Sequence, residues 1–351
     1  MTPTPATHQQ RSAHIRAVVM ARGDELRRRY PILQYQDALG AGILAFALAG
    51  MLGSAWLYAE GAIAWWACLL ANAFFASLTH ELEHDLIHSM YFRKQRLPHN
   101  LMLALVWLAR PSTINPWIRR HLHLNHHKVS GTETDLEERA ITNGEPWGFA
   151  RLLMVGDNLM SSLIRFLRAP TWERRKMIVS RTLVGYAPLG LLNWGAWYVF
   201  LGFHLIDFVA TLAGAPITWS ATSLAVMDGV TFAVVVLVGP NVLRTFCLHF
   251  VSSNMHYYGD VELGNVIQQT QVLNPWWLWP LQAFCCNFGS THGIHHFVVK
   301  EPFYIRQLTA PVAHRVMREM GVRFNDFGTF ARANRWQAQE KPTSATTQQV
   351  A

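Results

Sequence analysis

A chain of 351 residues that is 51% hydrophobic and only 15% charged, with a mean hydropathy of +0.11, is too apolar for an ordinary soluble domain and too polar for a transporter made only of spans. The net charge of +8 does not call for nucleic acid, because a basic face against anionic lipid headgroups explains it more simply. The cysteines (Cys68, Cys247, Cys285, Cys286) lack a metal-finger spacing and fit a reducing compartment.

Residues 1–38 form a basic N-terminal segment whose start, Met1-Thr-Pro-Thr-Pro-Ala, is too polar for a secretory signal. All 30 Lys and Arg lie outside two windows, Tyr30–Phe92 and Thr182–Leu243. A span needs about 20 apolar residues, so each window holds two. The first pair is expected near 39–58 and 62–78, turning at Glu60-Gly61. The second is expected near 183–203 and 224–243, joined by a loop with Asp207, Pro216 and Ser220. Between the pairs lie 15 Lys and Arg, and six arginines precede the first span, whereas both return loops have none. Basic residues mark the cytoplasmic side. The expected fold is therefore an all-α integral membrane protein, with four transmembrane helices in two hairpins and a cytoplasmic helical cap. Residues 39–330 form that domain, and 331–351 read as a polar, disordered tail. Asn274-Pro-Trp-Trp-Leu-Trp-Pro280 and Asn100–Ala109 are too short to span and read as interfacial segments.

Most of the 17 histidines fall into three clusters on that cytoplasmic side: His80-Glu-Leu-Glu-His84-Asp-Leu-Ile-His88, His121-Leu-His123-Leu-Asn-His126-His127 and His292-Gly-Ile-His295-His296. Residues at i, i+3 and i+4 share a helix face, and neutral imidazole is a common metal ligand. His80-Glu81-x-x-His84 alone satisfies the zinc-protease motif, but a catalytic zinc takes three protein ligands and leaves the other clusters without work. A carboxylate di-iron bundle needs two Glu-x-x-His motifs, and only Glu81-x-x-His84 is present. A thiolate-free shell of eight or nine imidazoles fits two ions of iron, copper or zinc.

These clusters carry a resemblance to the membrane fatty acid desaturase and hydroxylase superfamily, whose mark is three histidine boxes beside four spans. His80/His84 and His84/His88 both fit the first box. His123, His126, His127 and His292, His295, His296 match the second and third, and Asn254-Met-His256-Tyr-Tyr-Gly is similar to the stretch that carries a lone ligand in the alkane hydroxylase branch. The resemblance runs from about Leu39 to His296. It implies a non-haem di-iron centre, with two iron ions and O2 as co-substrate, that desaturates an acyl chain. Hydroxylation of an alkyl or acyl chain is the alternative, and an intramembrane zinc protease the distant one. The metal set so implied is His80, His84, His123, His126, His127, His256, His292, His295 and His296, with His88, His121 and His249 as further candidates. Among nearby carboxylates, Asp85 and Asp135 are the first choices to orient ligand rings. His99 and His314 are expected at the interface. With no flavin or nicotinamide fingerprint and no cytochrome b5 segment, electrons must come from an external donor such as a ferredoxin, rubredoxin or cytochrome, docking on the basic face. The expected partners are an acyl-chain or lipid substrate and membrane lipid, with no nucleic acid.

Overall fold

The computed structural model describes residues 7–337. The expected disordered tail lies mostly beyond them, in 338–351. Helix α1 (His8–Arg29) starts at Thr7, whose hydroxyl accepts from the Gln10 backbone N–H while the Gln10 side chain accepts from the Thr7 N–H. That reciprocal pair satisfies two free amides of the first turn. Ile15 and Val19 of α1 enter a core with Ile294, Ala313 and Met317, so the N-terminal segment is clamped onto the C-terminal part of the chain.

The first hairpin is α2 (Gln36–Ala59) and α3 (Trp65–Ile87). Close approach is enforced by glycine: a Cβ at Gly50 would sit 2.4 Å from the Phe75 ring, and one at Gly40 would sit 2.5 Å from Tyr91. Then come α4 (Arg96–Ala109), α5 (Pro116–Val129), α6 (Leu136–Ala140), α7 (Phe149–Gly156), α8 (Asn158–Arg168) and α9 (Trp172–Tyr186). The second hairpin is α10 (Leu189–Leu212) and a continuous helical run, Ala221–Met255. That run consists of α11 (Ala221–Ala233), a π-turn over Val234–Val238 and α12 (Gly239–Met255). The Val236 carbonyl in the π-turn accepts from Asn72 Nδ2 of α3 at 2.7 Å. Short helices α13 (Val266–Gln269) and α14 (Trp279–Ala283) lead to α15 (Phe288–His295), α16 (Phe303–Glu319) and α17 (Gly328–Ala331).

Three helical runs, Gln36–Ala59, Leu189–Leu212 and Ala221–Met255, are long and apolar enough to cross a membrane. Past Trp194, α10 has no buried residue and exposes Leu205, Phe208 and Leu212, a surface that only an apolar solvent stabilises. The third of the expected spans begins six residues later than 183, because Pro188 separates α9 from α10. Helix α3 is as long as a span, but its apolar stretch ends at Thr79, where the first histidine cluster begins. Trp276, Trp277 and Trp279 are exposed, as a segment at headgroup depth requires.

Candidate metal centre

The end of α3, one face of α5, the end of α12 and α15 converge on one point. His84, His88, His123, His127 and His295 offer ring nitrogens that all lie within 4.8 Å of one another. Beside them His126, His256 and His296 form a second such group. His292 joins its edge, with Nε2 3.2 Å from His256 Nε2 and 3.3 Å from His296 Nε2.

Hydrogen bonds on the far side of several rings fix where their protons lie. His126 Nδ1 faces Asp135 Oδ2 at 2.7 Å, His123 Nδ1 faces Glu137 Oε2 at 2.9 Å, and His256 Nδ1 faces the Ser252 carbonyl at 2.9 Å. An ionised carboxylate and a carbonyl only accept, so each Nδ1 donates, and in the neutral form of each ring it is the Nε2 lone pair that turns inward. His296 Nδ1 likewise meets Gln269 Oε1 at 3.0 Å. The inward nitrogens then crowd together: His123 Nε2 lies 3.0 Å from His88 Nε2 and 3.1 Å from His127 Nε2, and His127 Nε2 lies 3.0 Å from His295 Nε2. Wherever two of these nitrogens both carry lone pairs, they repel unless a cation lies between them. The buried His84 ring has no hydrogen-bond partner at either nitrogen. An all-imidazole donor set of this kind fits a divalent transition metal.

Electrostatics sets His126 apart from the other rings, His256 and His296 of its own group included, which burial holds below the usual imidazole range. Burial disfavours a charge on His126, but the Asp135 hydrogen bond, with the charges of Glu138, Asp135 and Glu137, outweighs it and raises His126 to about 9. In the other group burial, then the charge of His123, pushes His88 down to about 2. His127 is also held below the usual imidazole range, mainly by burial. Burial opposes ionisation of Glu137, yet His123 keeps its carboxyl below the usual range.

Beneath the rings, Arg306 of α16 donates to Glu81 Oε2 and Asp85 Oδ1, each at 3.0 Å. Arg110 and Arg119 share Glu83, with Arg119 at 2.9 Å. These carboxylates are buried, and each finds a cation, as burial requires.

Several expected positions fall elsewhere. The structure draws His84 and His88 into the first group but leaves out His80, whose Nδ1 lies 3.3 Å from Arg110 Nη1. Glu81 is committed to Arg306, so His80-Glu81-x-x-His84 does not assemble as a protease site. His121 is exposed, and His249 borders a cavity outside both groups. Asp135 accepts from a histidine ring, at His126 Nδ1. Asp85 does not: 3.7 Å from His84 Nδ1 is beyond hydrogen-bond reach, and its oxygens accept instead from Tyr91 Oη, the Phe303 N–H and Arg306. His99 and His314 are not interfacial but buried, each paired with a backbone carbonyl (Tyr91 and Ser290). Glu137, Glu138 and Gln269 were not anticipated. The acidic run Asp135-Leu-Glu-Glu138 inside a basic region was the available signal for the first two.

A family model described as fatty acid desaturase matches residues 60–328. The chain belongs to the fatty acid desaturase family. All three histidine clusters and His256 fall inside the match. With the apolar helices, this marks a membrane protein with a desaturase-type oxidoreductase domain. No match was found among curated protein sequences.

Proposed function

We propose that this chain is a di-iron enzyme of the membrane that uses O2 to introduce a double bond into an acyl chain. The convergence of nine imidazoles in two adjoining groups, within a family of this chemistry, carries the reading. His84, His88, His123, His127 and His295 would hold one iron, and His126, His256, His292 and His296 the other. Iron bound there supplies the activation of O2 that breaking an unactivated C–H bond demands. The chain's own residues do the rest. Asp135, Glu137, Gln269 and the Ser252 carbonyl hold ring orientation and tautomer, the Arg306 and Glu83 ion pairs keep the α3 end in place, and burial excludes water.

Four spans, with α3 as the second, would set the N-terminus, the middle region and the histidine centre on the cytoplasmic face, as the distribution of basic residues supports. Electrons would arrive from a separate acidic redox protein. Hydroxylation by the same centre remains the second reading, supported by the Asn254-Met-His256-Tyr-Tyr-Gly segment. Two measurements on the full chain test the proposal: iron per chain, and mass spectrometry of lipids from an expressing host. Two irons and products lighter by two hydrogens are expected. Gain of one oxygen selects hydroxylation, and full activity with zinc and no iron overturns both.

A further inference from the structure

Next to the histidine groups lies a cavity of about 90 Å³, bordered by His80, Arg119, Glu137, Arg244, Ser252 and Phe288 among others. Its walls are unusual for a space meant to hold only hydrocarbon. Arg244 is 1% exposed, and its partners are neutral: Asn241 Oδ1 at 3.3 Å from Nε and Thr245 Oγ1 at 3.0 Å from Nη2. Its Nη1 has no partner, and no carboxylate forms an ion pair with it among the described residues. The carboxylate that borders the cavity, Glu137, is already committed to His123 and Arg119. Guanidinium does not lose its proton in a protein, so a whole positive charge is buried here without compensation, an arrangement that is strongly unfavourable unless an anion is supplied.

A second orphan donor borders the same space. Arginine only donates, so the contact from Arg110 Nη1 makes His80 Nδ1 the acceptor and puts the proton of the neutral ring on Nε2. That Nε2 is buried and has no partner. Two residues with an unmet donor, one of them cationic, therefore border one small cavity.

We propose that this cavity receives the carboxylate of the substrate, held by Arg244 with help from His80. The fork of a guanidinium matches a carboxylate's two oxygens, and the cavity is too small for a phospholipid headgroup. Ser252 and Glu137 border the cavity and also hold His256 and His123, so the carboxylate sits one side chain from the histidine groups and oxidation falls near that end of the chain. Only the word substrate rests on the enzyme assignment; the anion site itself does not.

Calorimetric titration of the purified full-length protein with dodecanoate, dodecan-1-ol and dodecyl phosphate tests it. The native chain should prefer dodecanoate over dodecanol by at least about tenfold, the scale of a charge-assisted contact. Arg244→Gln should erase that preference while sparing dodecanol binding, and Arg244→Lys should restore part of it. Equal affinities in the native chain, a preference that survives Arg244→Gln, or tighter binding of dodecyl phosphate would overturn the assignment. The native comparison decides even if the variants do not fold. In an expressing host, oxidation mapped near the carboxyl end supports the placement, and oxidation at mid-chain or the methyl end overturns it. Iron content and product mass on the same preparation report separately on the enzyme reading.

Discussion

In the group around His126, three of the four rings have an acceptor for the nitrogen that faces away from the centre: Asp135 for His126, the Ser252 carbonyl for His256 and Gln269 for His296. In the five-ring group only His123 is held this way, by Glu137, while His84 and His295 have unpartnered Nδ1 atoms. The difference separates two ways of building a ligand set. Rings pinned from behind have orientation and tautomer set before a metal arrives. Rings pinned only by packing depend on the metal itself to order them.

Replacing a ring should have the largest effect. His127→Ala and His256→Ala should each remove iron and abolish turnover, a loss beyond the roughly 10–100-fold expected when only a supporting hydrogen bond goes; elemental analysis and product assays read both. His256→Ala should leave the five-ring group able to take metal, so two irons retained in either variant would break the division. Next comes the α3 base. Arg306→Met strands Glu81 and Asp85 without their cation, an imbalance of about 3–5 kcal/mol. Thermal unfolding in detergent should show a clear fall in Tm, and an unchanged Tm would mean that these ion pairs do not hold the end of α3.

Smaller effects sharpen the contrast. Asp135→Asn should weaken iron retention against a chelator by roughly 10–100-fold, and Glu137→Gln by a similar factor. If only the Asp135 variant responds, rear support matters in one group alone. His80→Asn should change iron content least, since His80 lies outside both groups; loss of an iron would put it back among the ligands.

Local spacing made the second and third clusters legible, because His-x-x-His-His on a helix fixes which rings share a face. The first cluster was ambiguous for the same reason. Steps of four residues drift by only about 40°, so His80, His84 and His88 compete until tertiary packing selects among them. Glu137, Glu138, Gln269 and Arg306 were hidden because their partners come from other elements. Arg306 lies 225 positions from Glu81. The windows free of Lys and Arg point to four spans, whereas three helical runs are long and apolar enough to cross; α3 mixes a spanning length with a ligand-bearing end, and composition averages the two. His99 and His314 were misplaced because a buried histidine satisfied by a carbonyl looks the same in sequence as one at a headgroup.

The π-turn at Val234–Val238 is an insertion written into a single helix. A π-turn amounts to one extra residue in an α-helix, and one residue is a rotation of about 100°. The widened turn absorbs most of that rotation, so Arg244, Ser252 and His256 keep a facing close to the one set upstream. Deleting a single valine there would close the turn to a regular helix and withdraw the Val236 carbonyl from Asn72 of α3, while moving Arg244 and His256 far less than a full residue's rotation. Five valine- and leucine-rich residues thus free a backbone carbonyl inside a buried helix and tie the run that carries His256 to the helix that carries His84.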